Sequence, residues 1–192
     1  MRSKRLPERT LQYIYNLGLA GKLSEKDLLD GYGKRALDVG CGKGYGLLAL
    51  KALGYDVYGF DINEKAIRYT KRLGFKNVVV HNLENGIPFN MHFDLVTCFD
   101  VLEHVRNLSA ALRQLLSANY DTLIITVPNV HTEFLRLTYL AIRRKAIPSF
   151  TQGKGFLLKD PDHVNMFNSK KWLNLIINTL HELRCGKFMI KY

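Results

Sequence analysis

The feature that most constrains the fold is a regular alternation of short apolar strands and amphipathic helices between residues 36 and 127. Runs rich in β-branched and aromatic residues predict strands, and apolar residues at i, i+3 and i+4 predict the helices between them. The strands are predicted at Ala36–Val39, Asp56–Phe60, Asn77–His81, Phe93–Phe99 and Asp121–Val127, and the helices at Tyr45–Leu53, Asn63–Leu73 and Leu108–Leu116. Such alternation produces parallel sheets with right-handed crossovers. We therefore expect an α/β fold, a doubly wound and mostly parallel sheet with helices on both faces.

Helical segments flank this block on both sides. Arg9–Leu17 is predicted as a helix on the spacing of Leu11, Ile14 and Tyr15, and Leu23–Leu29 as a second short helix capped by Ser24. Beyond Pro128 the pattern predicts an amphipathic basic helix at Thr132–Lys145, a helix at Ser169–Leu180 and a final strand at Leu183–Tyr192. We expect one domain, 1–192, made of an N-terminal helical cap (1–35), a cofactor-binding core (36–129), a basic insertion or lid (130–168) and a C-terminal helix and strand (169–192).

A glycine-rich loop, DVGCGKGYG from Asp38 to Gly46, follows the first predicted strand. Glycines allow positive φ and let a ligand approach the main chain at the positive end of the next helix. Asp61 ends the second strand, 21 positions after Gly40, where a carboxylate can accept hydrogen bonds from both hydroxyls of a ribose. The pattern predicts a nucleotide-type cofactor.

Two residues of this loop distinguish between possible cofactors. A dinucleotide fingerprint has Gly or Ala three positions after its second Gly, where this chain has Tyr45. Asp38 would repel a pyrophosphate but could pair with an ammonium group. The loop therefore favours a nucleoside that carries a cationic amino-acid tail, and a nicotinamide-dependent oxidoreductase is the less favoured alternative.

The segment from Ala36 to Asn129 resembles the class I S-adenosylmethionine-dependent methyltransferases, which have a Rossmann-like fold. Four motifs carry the resemblance in the right order: the Asp38–Gly44 loop, Asp61, the Asn82-Leu83 pair, and FDLVTCFDVLEHV from Phe93 to Val105. The chain is most similar to the small single-domain subgroup that includes the ubiquinone-type O-methyltransferases, and the match extends weakly over His163–Phe167. The resemblance implies S-adenosyl-L-methionine as the cofactor and transfer of a methyl group to a hydroxyl or similar nucleophile.

The resemblance also implies roles for the matched residues. Asp38 would organise the loop and approach the methionine end of the cofactor, and Gly40 and Gly42 would let the cofactor pass close to the backbone. Asp61 would hold the ribose, and Ile62 would pack on the adenine. The implied cofactor-binding set is Asp38, Gly40, Cys41, Gly42, Asp61, Ile62, Asn82, Leu83, Phe99 and Asp100.

The chain departs from the family pattern at two places. Asn82 stands where the family usually has an acid that meets the adenine amino group. Because an amide oxygen still accepts one hydrogen bond, we expect weaker cofactor affinity and not its loss. Family members also finish with two antiparallel strands, of which only one is evident here, so the last strand is expected to be absent and the sheet edge less protected.

Methyl transfer from a sulfonium is an in-line displacement, so catalysis consists mainly of placing and desolvating the acceptor. A base is needed only where the acceptor carries a proton. His104, after the fourth strand, is the first candidate for this catalytic base, since a neutral imidazole suits the deprotonation of a hydroxyl. His163, after the insertion, is the second. The alternative is that each histidine only packs or caps the local structure.

A separate hypothesis is that a divalent metal ion is bound by Asp100, Glu103, His104 and His163. The pattern D-x-x-E-H would place two carboxylates and an imidazole around one helical turn. The arrangement resembles that of small-RNA 2′-O-methyltransferases, which have Glu where this chain has Asp100. Because the E-H pair is also widespread among methyltransferases that bind no metal, the predicted site includes none.

The charge distribution bears on the partners. The net charge is +11, and residues 36–129 are neutral, with nine basic and nine acidic residues. The excess therefore lies in 1–35 and 130–192, which favours a polyanion such as RNA, or an anionic membrane surface, beside the methyl acceptor. Solubility alone is the simpler explanation. The Phe134–Lys145 segment could close over the acceptor as a lid, lie at a membrane surface, or pack on the sheet.

Cysteine content and hydropathy indicate the compartment. Cys41, Cys98 and Cys185 are odd in number and far apart, so neither a disulfide framework nor a zinc site is expected, and Cys98 inside a strand is expected to be core. No apolar run reaches the ~20 residues that span a bilayer. We expect a soluble cytoplasmic enzyme without a transmembrane segment. The non-enzymatic alternative is an inactive methyltransferase-like module that binds nucleic acid.

Overall fold

The computed structural model describes residues 6–24, 26–127, 164–165 and 167–183. Five parallel strands in these ranges form one sheet in the order β3-β2-β1-β4-β5. The strands are β1 (Arg35–Val39), β2 (Asp56–Asp61), β3 (Val78–Val80), β4 (Phe93–Phe99) and β5 (Tyr120–Thr126). The helices are α1 (Glu8–Ser24), α2 (Tyr45–Ala52), α3 (Glu64–Arg72), α4 (Leu108–Leu116) and α5 (Ser169–Glu182). The predicted α/β fold with a parallel sheet is confirmed.

Helices cover both faces of the sheet, because successive β1 side chains point to opposite sides. Ala36 belongs to a buried cluster that includes Leu17 of α1 and Leu47 of α2. Leu37 belongs to a second cluster, which includes Leu112 of α4 and Trp172 of α5. The sheet is thus doubly wound, as predicted from the alternation.

The strand order reverses at β1. Ala36 of β1 pairs with Val57 of β2 on one side and with Leu95 of β4 on the other. In open α/β sheets, ligands bind in the crevice at the carboxyl ends of the strands where the order reverses. This topology puts the site at the ends of β1, β2 and β4, where the glycine-rich loop follows β1.

The prediction of two short N-terminal helices is wrong. α1 continues through Gly18 and Gly21 to Ser24, and the described residues 26–30 are not helical, so Ser24 ends a helix and does not cap one. A glycine costs only ~1 kcal/mol in a helix interior, and burial of the inner face of α1 offsets this. At Gly21 an added Cβ would lie 2.7 Å from the Lys26 carbonyl oxygen, so glycine is required by close packing.

The face of α1 that packs on the protein also differs from the predicted one. The spacing of Leu11, Ile14 and Tyr15 indicates the buried face, yet the structure buries Thr10, Tyr13 and Leu17. Leu11 and Tyr15 are exposed. Two apolar stripes therefore run along α1, and the sequence periodicity detects the outer one.

A short 3₁₀ helix, Leu83–Asn85, follows β3 and was not predicted. The Asn82 amide oxygen accepts a hydrogen bond from the Glu84 amide at 2.9 Å and caps this turn. The Glu84 carboxylate in turn accepts from the amides of Arg106 and Asn107, at 2.9 and 3.1 Å. This turn fixes the start of α4 relative to β3.

Several expectations fall on residues outside the described ranges. They are the helix at Thr132–Lys145, the insertion or lid up to residue 163, and the final strand from residue 184 on. Leu183, where that strand is predicted to begin, is the C-cap residue of α5. Among the described helices, none combines the length and apolar character needed to cross a bilayer.

Candidate cofactor site

Three glycines shape the loop between β1 and α2. Gly40, Gly42 and Gly44 have φ values of 69°, 49° and 80°, in the left-handed region where glycine is favoured. The loop is fixed from outside, because the Thr70 hydroxyl donates to the Gly42 carbonyl at 2.9 Å and the Cys41 amide donates to the Phe60 carbonyl at 3.0 Å. These two contacts hold the loop in a defined shape.

Asp61, at the end of β2, lies next to this loop. One carboxylate oxygen accepts from the Gly42 amide at 2.8 Å, and the other accepts from the Asn63 amide at 2.7 Å. A Cβ added at Gly42 would meet Asp61 Oδ2 at 3.9 Å and no closer side chain, so open space borders this carboxylate. Ile62 is 69% exposed, which leaves an apolar surface beside Asp61. A ribose with a flat base fits this position.

Asp38 is buried beneath the loop. Its Oδ1 accepts from the Tyr13 hydroxyl at 2.6 Å and from the Thr97 hydroxyl at 3.1 Å. The Tyr13 hydroxyl is also in contact with the Thr97 hydroxyl, and the Tyr13 ring packs on Phe99 with centroids 4.5 Å apart. Residues of α1 and β4 therefore hold this carboxylate of β1 in one orientation.

Burial raises the pKa of Asp38 to about 7, and the nearby charge of Asp61 adds to the rise. The hydrogen bonds from Tyr13 and Thr97 favour the carboxylate and oppose the rise. Burial, with the Asp38 charge, also raises the pKa of Tyr13 well above its usual value, so Tyr13 remains a hydrogen-bond donor. At neutral pH the group is therefore poised between carboxyl and carboxylate, and a cationic ligand would favour the carboxylate.

The second carboxylate oxygen of Asp38 faces the first turn of α2. A Cβ added at Gly46 would overlap this Oδ2 and the Tyr13 ring, so only glycine leaves room for both groups. Oδ1 is held by two hydroxyls, whereas no described residue gives Oδ2 a hydrogen bond. The two acceptor carboxylates, Asp38 and Asp61, fit a cofactor with an ammonium group at one end and ribose hydroxyls at the other.

The remaining predicted cofactor residues lie around this pair of carboxylates. The side chains of Cys41 and Leu83 are buried in the two core clusters, and Phe99 packs on Tyr13. Burial raises the pKa of the Cys41 thiol, which stays protonated. Asn82 begins the 3₁₀ turn after β3. These residues surround the crevice, and their direct contacts with a cofactor remain predictions.

The turn after β4 covers the glycine loop. Asp100 has a φ of 55°, and its carboxylate accepts from the Thr126 hydroxyl at 3.1 Å. A Cβ at Gly40 would overlap the Val101 side chain, so the two segments are in close contact. The His104 amide donates to the Val101 carbonyl at 3.0 Å, and the His104 side chain is exposed. His104 therefore lies three residues after Val101, whose side chain contacts the glycine loop.

Val164 and Asn165 also hold the turn after β4 in place through hydrogen bonds to its backbone. The amides of Val164 and Asn165 donate to the Glu103 carbonyl at 2.8 and 3.0 Å. The Asn165 amide group donates to the carbonyls of Leu102 and Val105 at 2.9 and 2.7 Å. His163 itself lies outside the described residues, and its catalytic role remains a prediction.

The turn does not form the hypothesised metal site from its described members. Asp100 and His104 are exposed, while Glu103 is buried, and the three do not bring ligand atoms within 4.8 Å of one another. In the described part of the chain, the group that meets this distance is His92, Asp94 and Asp121, near the amino ends of β4 and β5. The left-handed backbone at Asp100 breaks the helical turn that the D-x-x-E-H pattern predicts.

Tyr13 is the site residue that the sequence analysis missed. It lies 25 positions before Asp38 in a helix whose predicted inner face was a different one. No motif marks it. The available signal is a tyrosine on a helix that precedes a strand with a buried aspartate. This combination is too common in sequences to predict a contact between the two side chains.

Together, the parallel sheet, the glycine loop and the two carboxylates define a nucleoside-binding domain of the Rossmann-like methyltransferase class. A family model described as a methyltransferase domain matches residues 13–176. The chain therefore belongs to this family, the class I methyltransferases whose cofactor is S-adenosylmethionine.

Relatives of known name share the central part of the chain. One is the ubiquinone biosynthesis O-methyltransferase of Dechloromonas aromatica, 35% identical over 88 residues, which cover 42% of this chain and 37% of that protein. Another is the protein of the same name from Proteus mirabilis, 30% identical over 96 residues, which cover 43% and 36% of the two chains. The chain thus matches little more than a third of the length of these relatives.

Solved structures share the fold. A methyltransferase from Archaeoglobus fulgidus, described as dependent on S-adenosylmethionine, is 22% identical with a TM-score of 0.60, covering 90% of this chain and 68% of that one. Magnesium protoporphyrin IX methyltransferase from Synechocystis, solved with S-adenosylhomocysteine, is 20% identical with a TM-score of 0.57, covering 88% and 70%. At this identity the likeness establishes the fold.

Proposed function

We propose that the protein transfers a methyl group from S-adenosylmethionine to a hydroxyl oxygen of a small, phenol-like acceptor. The observation that carries the proposal is the pair of carboxylates on either side of the glycine loop, Asp38 buried beneath it and Asp61 held by two amides. The relatives named ubiquinone biosynthesis O-methyltransferases support a hydroxyl on a ring as the acceptor.

The chain's residues have separate tasks in this proposal. Asp61 accepts hydrogen bonds from the ribose hydroxyls with the lone pairs that the Gly42 and Asn63 amides leave free. Asp38 pairs with the ammonium group through Oδ2. When bound, the cofactor supplies an activated methyl group on a sulfonium that leaves as a neutral thioether. The protein's contribution is to align the acceptor oxygen with this methyl group and to exclude water.

His104 acts as the base in this proposal. It lies in the turn that contacts Gly40 through Val101, at the end of β4 where the acceptor must approach. A neutral imidazole would take the hydroxyl proton as the oxygen attacks the methyl group. His163 would take this part if His104 only positions the turn, and its neighbour Val164 is bonded to the same turn.

Calorimetric titration with S-adenosylhomocysteine tests the cofactor site. We expect the wild type to bind and Asp61→Ala to lose most of the affinity, at least about 10-fold, since it loses charge-assisted hydrogen bonds. Asp56→Ala is the control, because Asp56 is an exposed carboxylate at the other end of β2. Equal binding by Asp61→Ala and the control, or no binding by the folded wild type, contradicts the proposed site.

Transfer of a labelled methyl group to a panel of catechols and polyprenyl phenols tests the acceptor. We expect His104→Gln to lower kcat by roughly 100-fold or more while S-adenosylhomocysteine still binds. Methyl transfer that EDTA does not change is expected as well, because the described residues of the hypothesised metal site do not converge. If His104→Gln keeps full activity, His104 is not the base.

RNA is the second candidate acceptor, and the surface of α3 favours it. Lys65, Arg68 and Arg72 are exposed on the side of α3 opposite its buried residues Ala66 and Ile67. The stripe begins close to Asp61, at the ribose end of the site. An RNA acceptor would bind with an affinity that falls steeply with salt, whereas a neutral phenol would not.

A further inference from the structure

The outward face of α1 carries an apolar stripe. Leu11, Tyr15 and Leu19 are 53%, 66% and 48% exposed, and they follow one another at intervals of four residues. At 1.5 Å per residue the stripe extends over ~12 Å. The opposite face of the same helix is buried on the protein through Tyr13 and Leu17. A helix that is apolar on two opposite faces is typical of one that is covered on both.

Opposite charges lie at the two ends of the stripe. Glu8 is in the first turn of α1 and Lys22 is in the last, and both are exposed. Each is seven residues from Tyr15, which is about two helical turns, so the three side chains lie along one side of the helix. Leu11 and Leu19 are each four residues from Tyr15. The stripe is therefore symmetric about Tyr15 in its apolar residues and antisymmetric in its charges.

We propose that this stripe binds a second copy of the chain, with α1 packed antiparallel on α1 around a two-fold axis at Tyr15. The pairing places Leu11 of each copy beside Leu19 of the other, and Glu8 beside Lys22. A two-fold interface requires a patch that is complementary to a copy of itself rotated by 180°. This stripe meets that condition, because apolar residues then face apolar residues and each charge faces the opposite charge.

Charge complementarity favours a second copy over a lipid surface. An anionic bilayer attracts a helix whose apolar stripe is bordered by basic residues alone. Here Glu8 lies on the line of the stripe while Arg9 lies off it, and Glu8 of one copy meets Lys22 of the other. The contact is one helix pair, smaller than a standard interface of ~1,600 Å² in total, so we expect a dimer in the micromolar range.

The pairing would bear on the cofactor site without contributing a residue to it. The inner face of α1 holds Asp38 through Tyr13 and the start of α2 through Thr10, whose hydroxyl donates to the Tyr45 carbonyl at 3.2 Å. A second copy on the outer face would restrict fraying of α1 and keep these contacts in place.

Sedimentation equilibrium over about 1 µM to 1 mM protein tests the proposal. We expect the mass to rise with concentration from 22.0 kDa toward twice that value. Tyr15→Glu would place two like charges at the axis, and we expect it to weaken the dimer at least about 10-fold. Tyr69→Glu is the matched control, because Tyr69 is a 47% exposed aromatic on α3. Circular dichroism checks that each variant is folded.

Charge reversal tests the antiparallel arrangement even if Tyr15→Glu fails to fold. Glu8→Lys and Lys22→Glu should each dissociate more readily than the wild type, since like charges then meet at both ends. An equimolar mixture of the two should associate at least as tightly as the wild type, because every pair becomes attractive. A wild type that stays monomeric overturns the proposal, as does a dimer that Tyr15→Glu leaves intact or a mixture that gains nothing. A monomer that binds anionic vesicles through Tyr15 would assign the stripe to lipid instead.

Discussion

Burial destabilises the charged form of Asp38, and a cationic ligand would stabilise it. A carboxyl buried beneath the loop must be desolvated, and its pKa of about 7 reports that cost. Two hydroxyls lower the cost without removing it, and Gly46 leaves just enough room for Oδ2 beside the Tyr13 ring. A ligand ammonium group would offset the remaining cost only in the complex, so the residue contributes to binding at the expense of stability.

Asp38→Asn should therefore change the pH dependence of stability. The folded-state pKa is raised above the ordinary value of 3.8, so the folded protein holds a proton that the unfolded chain releases between about pH 4 and 7. Wild-type stability has a component that is fully present below about pH 4 and is lost as the pH rises through 7. Relative to wild type, Asp38→Asn should gain roughly 1–4 kcal/mol between pH 4.5 and pH 8. Urea unfolding at the two pH values measures the gain, and a difference that does not change with pH contradicts the assignment.

Tyr13→Phe tests separately how the amino-acid end and the nucleoside end of the cofactor are bound. Loss of the hydroxyl removes a hydrogen bond to ionised Asp38, a kind of bond worth roughly 1.5–3 kcal/mol. We expect S-adenosylhomocysteine affinity at pH 7 to fall roughly 10-fold, and the pH at which binding is half-maximal to rise. Binding of 5′-methylthioadenosine, which has no amino group, should stay within about 2-fold of wild type.

The control for Tyr13→Phe is Tyr58→Phe, because the Tyr58 hydroxyl donates to Asp56 at 3.2 Å, far from the glycine loop. Both ligands should bind this variant as they bind the wild type. Equal losses for the two ligands in Tyr13→Phe would show that the residue maintains the fold of the site and does not position Asp38.

At the scale of elements, α2 depends on a glycine in its first turn. Replacing a helical glycine by alanine ordinarily stabilises a protein by ~0.5–1 kcal/mol. At Gly46, however, the added methyl group would overlap Asp38 Oδ2 and the Tyr13 ring. We expect Gly46→Ala to destabilise the protein by roughly 1–3 kcal/mol and to abolish S-adenosylhomocysteine binding.

Gly18→Ala in α1 is the matched control for this change. Its added Cβ would lie 3.7 Å from Leu29 Cδ1, an ordinary contact, so the usual helix stabilisation is expected. Thermal unfolding of the two variants provides the comparison. If Gly46→Ala is as stable as Gly18→Ala, then Asp38 and Tyr13 can move away at little cost and are not held as the structure indicates.

The elements also show which parts of the fold were predictable. The five strands and α2, α3 and α4 were predicted within a few residues, because each depends on local periodicity and turn signals. α1 was wrong in length and in its buried face, since both of its faces carry apolar residues and only tertiary packing decides between them. The 3₁₀ turn at Leu83–Asn85 depends on the Glu84 contacts with residues 22 and 23 positions away, which no local pattern reveals.

Site residues were predictable where a sequence motif lies at the carboxyl end of a predicted parallel strand. Asp38, Gly42 and Asp61 were predicted from their positions at strand ends, and the parallel sheet brings them to one edge. Tyr13 was missed because its contact with Asp38 crosses between elements. The D-x-x-E-H pattern predicts a helical turn, whereas the backbone is left-handed at Asp100, which spacing along the chain cannot show; the metal site, which also involves His163, stays a hypothesis.

At the scale of the whole molecule, the charges of the cofactor site and of the flanks are separate. Residues 36–129 are neutral, whereas 1–35 and 130–192 carry net charges of +4 and +7. The proposed cofactor contacts involve buried Asp38 and the amide-bound Asp61, and buried pairs are screened little by salt. We therefore expect S-adenosylhomocysteine affinity to change less than about 2-fold between 50 and 500 mM NaCl.

The same salt range then distinguishes the two acceptors. With the proposed phenol-like acceptor, KM should be as insensitive to salt as cofactor binding is, because the basic flanks have no charged partner. With RNA, KM should rise by roughly 10³-fold or more if six or more phosphates are neutralised. Titrations of cofactor and acceptor in parallel provide an internal control. A salt-dependent KM for the acceptor beside a salt-independent cofactor affinity contradicts O-methylation of a neutral phenol and favours RNA as the acceptor.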